Sequence, residues 1–487
     1  MPDAATPSAP TASTIGVLAL CGGGIAVSLS QTMVIPVQSA LPRLLSTSPA
    51  DAAWVITVTL LCGAVAMPVA GRLADLWGKW PVLVGCLGLL AVGSVVCGVA
   101  ETLAPMLVGR GLQGAAMGFI PVGIALLREV SAPGAGATAV AAMSASLGVG
   151  SAIGLPLGAW IVDTGQWHGL FWVTAAIAAV AVVVVALVVP RVPPRAVGRL
   201  DLSGALLLAV GLVVFLLGVT RAASWGWLSL RTGVVVAVGV ALLVLWGLHQ
   251  LHRLDPLIDL RASARRPVAL ANVAAVVIGF GLLTQAIVMP QLLQVPESAG
   301  HGLGTSMLAA GLWMAPGGLT MLVVAPLSSA LITRVGPRDA LVAGALVLAA
   351  GYGLVLLLAD HAWQVALASC VTSAGVAVAY AAMPTLIMDA VTEDRTASAV
   401  GFNALMRCIG TTSAAAVMGT ILASWTTAGP AGSAVPTAAA FTTCFAIGGA
   451  AALLAAGVAA CAPGRKAATP ATSAAPAVRQ VPAAQRA

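Results

Sequence analysis

Charge is what this sequence has least of. Only 8% of its 487 residues are Asp, Glu, Lys or Arg, where a soluble domain carries about 25%. No soluble surface can be built from so few charges. With 60% hydrophobic residues, the bulk of the chain must face lipid. Lysine is nearly missing, 2 against 20 Arg, and no basic patch interleaves with aromatics, so the net charge of +7 is not a nucleic-acid footprint. No CxxC pair occurs among the eight cysteines. All lie in or at the ends of apolar runs and read as small buried hydrophobes rather than metal ligands or redox centres. There is no P-loop GxxxxGK(S/T) and no large soluble stretch, which excludes an ATP-burning pump within this chain. No nucleophile–base pair or His-rich metal set is present, and the five His lie near span ends, which speaks against an enzyme and against a cofactor or metal. A basic n-region is missing too, so the N-terminus is expected to be retained rather than cleaved.

What remains is long apolar runs. A membrane-spanning helix needs about 20 mostly apolar residues, and by that rule the sequence predicts an all-α polytopic membrane protein with 14 transmembrane helices. The first covers 14–36, the second 52–72, the fourth 104–127, the fifth 137–161, the ninth 267–290, the tenth 304–332, the thirteenth 397–424 and the last 437–461. Basic residues set the orientation. With the N-terminus in the cytoplasm, the outward loops hold only Arg43, Arg221 and Arg231, Arg110 and Arg407 lie inside spans, and the other 17 basic residues face inward. Both termini are therefore expected on the cytoplasmic side of a cell membrane. The Arg, Ala, Gly and Val bias is that of a GC-rich bacterial genome.

A weak repeat organises the spans. The segment ATAVAAMSASLGVGSAIGLPLGAWI (137–161) aligns without gaps on ASAVGFNALMRCIGTTSAAAVMGTI (397–421), and GRLADLWGKWPVL (71–83) aligns more faintly on SALITRVGPRDAL (329–341). The near-equal offsets predict two six-helix bundles with pseudo-twofold symmetry, 14–190 and 267–462, separated by two extra central helices and cytoplasmic linkers at 191–266. Residues 1–13 and 463–487 are expected to be disordered tails.

Four segments carry chemistry. In SLGVGSAIGLPLGAW (146–160), Gly150, Gly154 and Gly158 share one helix face, the small-residue pattern that lets membrane helices approach closely. Pro156 leaves the carbonyl of Ala152 without its helical partner, so the helix can bend there. In GRLADLWGKWP (71–81), Gly71 allows close approach and Gly78 suits a turn with positive φ. Asp75, flanked by Arg72 and Lys79, can bond to helix termini and to those cations, latching one side shut. In LVGRGLQGAAMG (107–118), Arg110 lies within a span, where it needs a cavity or a partner, and Gln113 shares its face. In GFNALMRCIG (401–410), Asn403 and Arg407 are four apart and deep in a span.

These segments resemble the signature motifs of the major facilitator superfamily. GRLADLWGKWP looks like its loop motif, RGLQGAA like its fourth-span motif, and GVGSAIGLPLGA like the fifth-span motif of drug:proton antiporters, whose fourteen-span branch matches the span count. The resemblance covers the chain apart from its tails. It implies two bundles rocking about a central cavity, with Asp75, Arg72 and Lys79 stabilising one conformation. It also implies that Arg110 is a cavity residue linked to coupling, and that the glycine–proline face of span five seals one bundle against the other. Three departures stand out: Leu76 and Trp80 replace usual basic residues, Leu155 interrupts a usual Gly-Pro pair, and Ser30, Gln31 and Thr32 stand where relatives often carry an acid.

No acid falls mid-span by these boundaries. Proton-carrying groups are left at helix ends, at Asp75, Glu129, Asp163 and Asp389. A cavity holding Arg110 and Arg407 without a fixed counter-ion would prefer neutral or anionic polar cargo over lipophilic cations, unless an Arg pairs with a helix-end acid or helix carbonyls. Its expected polar lining is Ser30, Gln31, Thr32 and Gln38 from span one, Gln113, Gln285 and Gln291 from span nine, and Asn403. The leading expectation is a monomeric proton-coupled exporter of small amphipathic compounds such as drugs, antibiotics or secondary metabolites. Its partners are a small-molecule substrate, protons and the lipid bilayer, and a proton gradient replaces any cofactor. The alternatives are a permease for one defined metabolite, such as an organic anion, and a non-transporting receptor or scaffold, against which the intact GRLADLWGKWP speaks.

Overall fold

The structure is a computed structural model that describes residues 14–37, 40–52, 54–132, 135–194, 196–428 and 434–463. The expected 1–13 tail, nearly all of the 463–487 tail, Gln38 and Arg195 lie outside the described residues. Among the described residues, fourteen helices are long and apolar enough to cross a membrane. They are Thr14–Thr32, Trp54–Trp77, Lys79–Gly98, Leu103–Val130, Gly136–Asp163 and Gly169–Val188, then Leu202–Trp225 and Leu230–His252, then Arg266–Gln294, Met307–Val335, Pro337–Leu357, Ala362–Met388, Thr396–Ser424 and Ala438–Ala460. We refer to them as spans one to fourteen.

Boundaries move for local reasons. Span one stops at Thr32, before 36, and the chain turns through 33–37 towards Pro36. Span four tightens into a 3-10 turn at Ala116–Gly118 before resuming as an α-helix. Span five runs through Pro156 without ending, and span ten through Pro316 and Pro326. Within a bilayer the freed carbonyls can find neighbouring partners, which makes such prolines tolerable. One feature was not foreseen: a two-stranded antiparallel hairpin, Thr426–Ala428 with Ala434–Pro436, joins spans thirteen and fourteen. His301, from the loop after span nine, sits 2.9 Å from the Pro436 carbonyl.

Spans one to six pack on one another, as do spans nine to fourteen, and a large buried apolar cluster centres on each group while drawing a few residues from the other, Ala141 and Ala145 into one and Met388, Ala397 and Val400 into the other. Between the groups, span five lies along span ten and span two along span thirteen, while span twelve touches span five. Lipid gives helices no hydrophobic reason to associate, so close approach of small residues supplies the attraction. Gly148 meets Gly318 and Met321, and Gly401 meets Met67. Spans seven and eight form a hairpin, with span seven resting on spans two and thirteen together. Span eight buries only Thr232, Gly239, Trp246 and Gln250.

The two weakly matched segments behave alike locally. Gly78 precedes span three with φ +93° and ψ 151°, and Gly336 precedes span eleven with φ +91° and ψ 161°. These positive φ values strain any residue with a Cβ, so both turns require glycine.

Candidate functional site

Asp75 sits near the end of span two, buried, at the seam between the two groups. Its two carboxylate oxygens accept the backbone N–H groups of Ala397 (3.1 Å) and Ser398 (2.9 Å). Those residues form the first turn of span thirteen, whose N-terminal N–H groups have no helical partners. The residue before that helix, Arg395, offers no capping side chain. Asp75 thus supplies the missing cap from the opposite half, where a negative charge also meets the positive end of the helix dipole. Gly71, one turn earlier, makes this possible: a Cβ there would collide with the backbone of Ala397 and Ser398.

The cations flanking Asp75 take other partners. Lys79 pairs with Glu129 at 2.6 Å, tying the start of span three to the end of span four. The Arg72 Nε is buried with no hydrogen-bond partner among the described residues. The expectation that Arg72 and Lys79 bond to Asp75 is therefore corrected: no ion pair joins them to it among the described residues. The reason is geometric, since both carboxylate oxygens already point across the seam.

Two contacts here escaped the sequence reading. Arg128 and Asp389 form an exposed ion pair across the seam. The segment after span six crosses beneath the loop motif: the Ala196 N–H donates to the Asp75 carbonyl (3.2 Å), and the Arg191 guanidinium lies 4.3 Å from the Trp80 ring centroid. Trp80 stands where the resemblance implies a base, and a base reaches it from a distant segment. The Pro- and Arg-rich run PRVPPRAVGR (190–199) was the available signal. A cleft of about 640 Å³ opens at this end, lined by Arg128, Asp389, Arg338 and Asp339 among others, and none of the expected cavity residues lines it.

Arg110 is fully buried inside the first group of spans. Its Nε donates to the Val55 carbonyl (3.1 Å), and its Nη1 to the Ser30 carbonyl (3.2 Å) and to Gln113 Oε1 (2.6 Å). Gln113 in turn donates to Ser94 Oγ (2.8 Å). This network joins spans one, two, three and four, and backbone carbonyls rather than a carboxylate satisfy the guanidinium. Ser30 donates to the Val27 carbonyl, Gln31 reaches Ser30, and Thr32 reaches the Gly150 carbonyl of span five.

In the second group, Gln285 Nε2 donates to Ser369 Oγ and Ser373 Oγ, each 3.0 Å away, while its Oε1 is buried without a partner among the described residues. Asn403 donates to Asn272 Oδ1 (3.0 Å). Gln291 is exposed. Arg407 is half-buried, with its guanidinium 4.4 Å from the Tyr380 ring centroid. Of the expected cavity set, the structure joins Ser30, Gln31, Arg110 and Gln113, and it keeps Asn403 and Arg407 on separate partners.

The glycine seam also needs correcting. Added Cβ atoms at Gly150, Gly154 and Gly158 would strike Ser28, Thr32 and Met33. That face therefore packs on span one within the same half. A different face of span five meets the other half, where Gly148 abuts Gly318, and Gly311 approaches Leu155 and Pro156. Residues 148 and 150 are separated by about 200° around a helix of 3.6 residues per turn, so one helix carries two small-residue faces.

Comparison with known proteins fits this geometry. The family profile described as Major Facilitator Superfamily matches residues 20–246 and 271–485. The chain belongs to the Major Facilitator Superfamily. Among its relatives, the "Multidrug resistance protein B homolog" of Mycobacterium tuberculosis is 30% identical over 346 residues, 70% of this chain and 63% of that protein. The "Multidrug resistance protein Stp" of the same organism is 31% identical over 388 residues, 77% of this chain and 69% of its own length. The "Tetracenomycin C resistance and export protein" of Streptomyces glaucescens is 30% identical over 347 residues, covering 70% of this chain and 63% of the relative. Alignment with the first of these relatives thus spans less than two thirds of its length. In fold, the chain resembles the crystal structure of the human organic anion transporter MFSD10 (TETRAN), with a TM-score of 0.64 and 16% identity over 91% of this chain and 99% of that one. The segment GRLADLWGKWP, which resembles the superfamily's loop motif, is the one whose Asp75 caps span thirteen.

Proposed function

We propose that this chain is a secondary transporter that exports small amphipathic compounds in exchange for protons, acting as a monomer with both termini in the cytoplasm. The observation that carries the reading is the Asp75 cap on span thirteen. It is a charged contact between the two groups of spans, and opening the seam at the loop-motif end would break it. A contact of that kind can bias two alternating states. The names of the aligned relatives, two multidrug resistance proteins and a tetracenomycin exporter, support small-molecule export.

Proton coupling needs a titrating group linked to the conformational change. Asp75 fits: a proton on it removes the charge that holds the helix terminus and releases the halves. No cofactor is then required, since the gradient supplies the energy. The test is flux in proteoliposomes with a panel of drugs under an imposed pH gradient. Wild type should accumulate or extrude cargo according to the sign of the gradient, and Asp75→Asn should abolish gradient-driven flux. Gradient-driven flux that persists in Asp75→Asn would overturn the coupling, and no flux of any compound in wild type would overturn transport.

A further inference from the structure

We propose that Arg407, seated on Tyr380 beside the meeting of the halves, is the binding point for an anionic group on the cargo, so that the protein selects compounds with a carboxylate or comparable anion on an apolar body. This rests on the transporter reading only for the word cargo; the site itself is argued from geometry.

The repeat shows that Arg407 occupies a constructed position. In the gapless match of 137–161 to 397–421, Gly410 corresponds to Gly150 and Arg407 to Leu147. Gly150 packs against Ile25 and Ser28 of span one, and Gly410 against the Val276 backbone of span nine. Ser28 Oγ donates to the Leu147 carbonyl (2.7 Å), while Gly279 lies against the Arg407 carbonyl. The two backbones are therefore held alike, and the side chains differ. Leu147 packs on the apolar cores of both halves, so this position looks toward the midline. On the other side of the pseudo-symmetry, the same position carries a guanidinium.

That guanidinium is uncompensated. Span thirteen places it more than ten residues from either helix end, at a depth where a charge is costly unless it faces a cavity or a partner. Among the described residues it makes no ion pair, and no protein acceptor takes a hydrogen bond from it. Spans nine, twelve, thirteen and seven contain no Asp or Glu, Asp389 stands just beyond the end of span twelve, and the acids of the neighbouring spans two and four are engaged elsewhere, Asp75 on the Ala397 and Ser398 amides and Glu129 on Lys79. The contrast with Arg110 is direct: Arg110 is sealed in and bonded to carbonyls, whereas Arg407 is half-buried with its donors free. Of the two arginines inside spans, only Arg407 thus keeps open donors.

Tyr380 fixes where the charge points. Its ring lies under the guanidinium, a cation–π arrangement that holds the plane while leaving the N–H edges open. Its backbone carbonyl accepts Ser144 Oγ of span five (3.2 Å), which puts the pair beside the meeting of the halves. A planar guanidinium with free edges is suited to bidentate capture of a carboxylate.

Binding can be measured without transport. The purified full chain in neutral-lipid nanodiscs would be titrated with fluorescent 1-hydroxy-2-naphthoate and with its methyl ester, which has the same rings but no charge. Wild type should bind the acid about tenfold tighter than the ester or more. Arg407→Gln should bring the two within about twofold of each other, and Arg407→Lys, which keeps the charge but loses the bidentate edge and the stacking on Tyr380, should fall between wild type and Arg407→Gln. Equal binding of acid and ester, binding of neither, or a preference that survives Arg407→Gln would overturn the site. The acid–ester comparison on wild type needs no variant, so a misfolded mutant leaves it decisive. Acid preference with no flux in proteoliposomes would sink the transporter reading alone. Flux confined to lipophilic cations would sink the anion site alone.

Discussion

Asp75→Asn tests how the halves are fastened. The carboxylate holds two buried N–H groups, and a hydrogen bond to a charged group contributes about 1.5–3 kcal/mol. The helix terminus adds about 0.3–1 kcal/mol for a negative charge. Asparagine keeps one acceptor oxygen and so retains one neutral bond, worth about 1 kcal/mol. The difference is about 2.3 kcal/mol at the low end, which corresponds to a shift of about 50-fold in the equilibrium between fastened and released seams. Hydrogen exchange resolved to single amides reads this directly, because the Ala397 and Ser398 N–H groups are protected by Asp75. Both should exchange about 50-fold faster in Asp75→Asn, while amides in the middle of span thirteen keep their rates. Exchange at those two amides within about threefold of wild type, in a folded variant, would refute a seam held by Asp75.

Gly71→Ala should give the same fast exchange without touching any charge, because its Cβ displaces the span thirteen backbone; unchanged exchange would mean the seam has slack. Arg128→Ala, which removes the exposed pair with Asp389, should cost the seam less than about 1 kcal/mol and leave both amides protected, and an effect as large as that of Asp75→Asn would reverse the ranking of the two contacts. At the entrance to span seven, burial alone would push the Asp201 carboxyl up, but hydrogen bonds from the Gly204 N–H, Ser203 and Gln250, with His249 nearby, bring it below its ordinary value. Its stabilisation is therefore complete above about pH 3.9 and is lost as the pH falls from there through the lowered folded value. Asp201→Asn should flatten that acid limb in a plot of Tm against pH, and a limb of unchanged slope would assign it to other carboxylates.

The spans were legible because hydropathy and length are local properties. Fourteen runs of the right length became fourteen helices, and the faint match of 71–83 to 329–341 reappeared as two turns of the same φ at Gly78 and Gly336. Partners were much less legible. Asp75 could be seen as a group that bonds to a helix terminus, but which terminus was invisible, since its acceptance of two backbone amides leaves no mark on the side chains at 397 and 398. The glycine face of span five was read correctly as a packing face and assigned to the wrong neighbour. Spacing gives the direction of a face relative to its own helix, and only the assembled bundle says what lies opposite. Arg110 and Arg407 look identical in hydropathy, yet one is closed over by carbonyls and the other stands half-open on a tyrosine ring. The hairpin at 426–436 fell in a short Ala-, Pro- and Gly-rich connection with no alternation long enough to signal strands.

The helical hairpin of spans seven and eight alters how such a molecule can move. Leu208, Leu212 and Leu216 of span seven share one apolar cluster with Leu61 and Met67 on one side of the seam and with Phe402 and Leu405 on the other. If the halves tilt apart along spans two and thirteen, this hairpin cannot stay in register with both. It must travel with one half and shear against the other, so a swing of two bodies becomes a problem of three. The friction of that third body, set by the leucines of span seven, would then limit how fast the halves part.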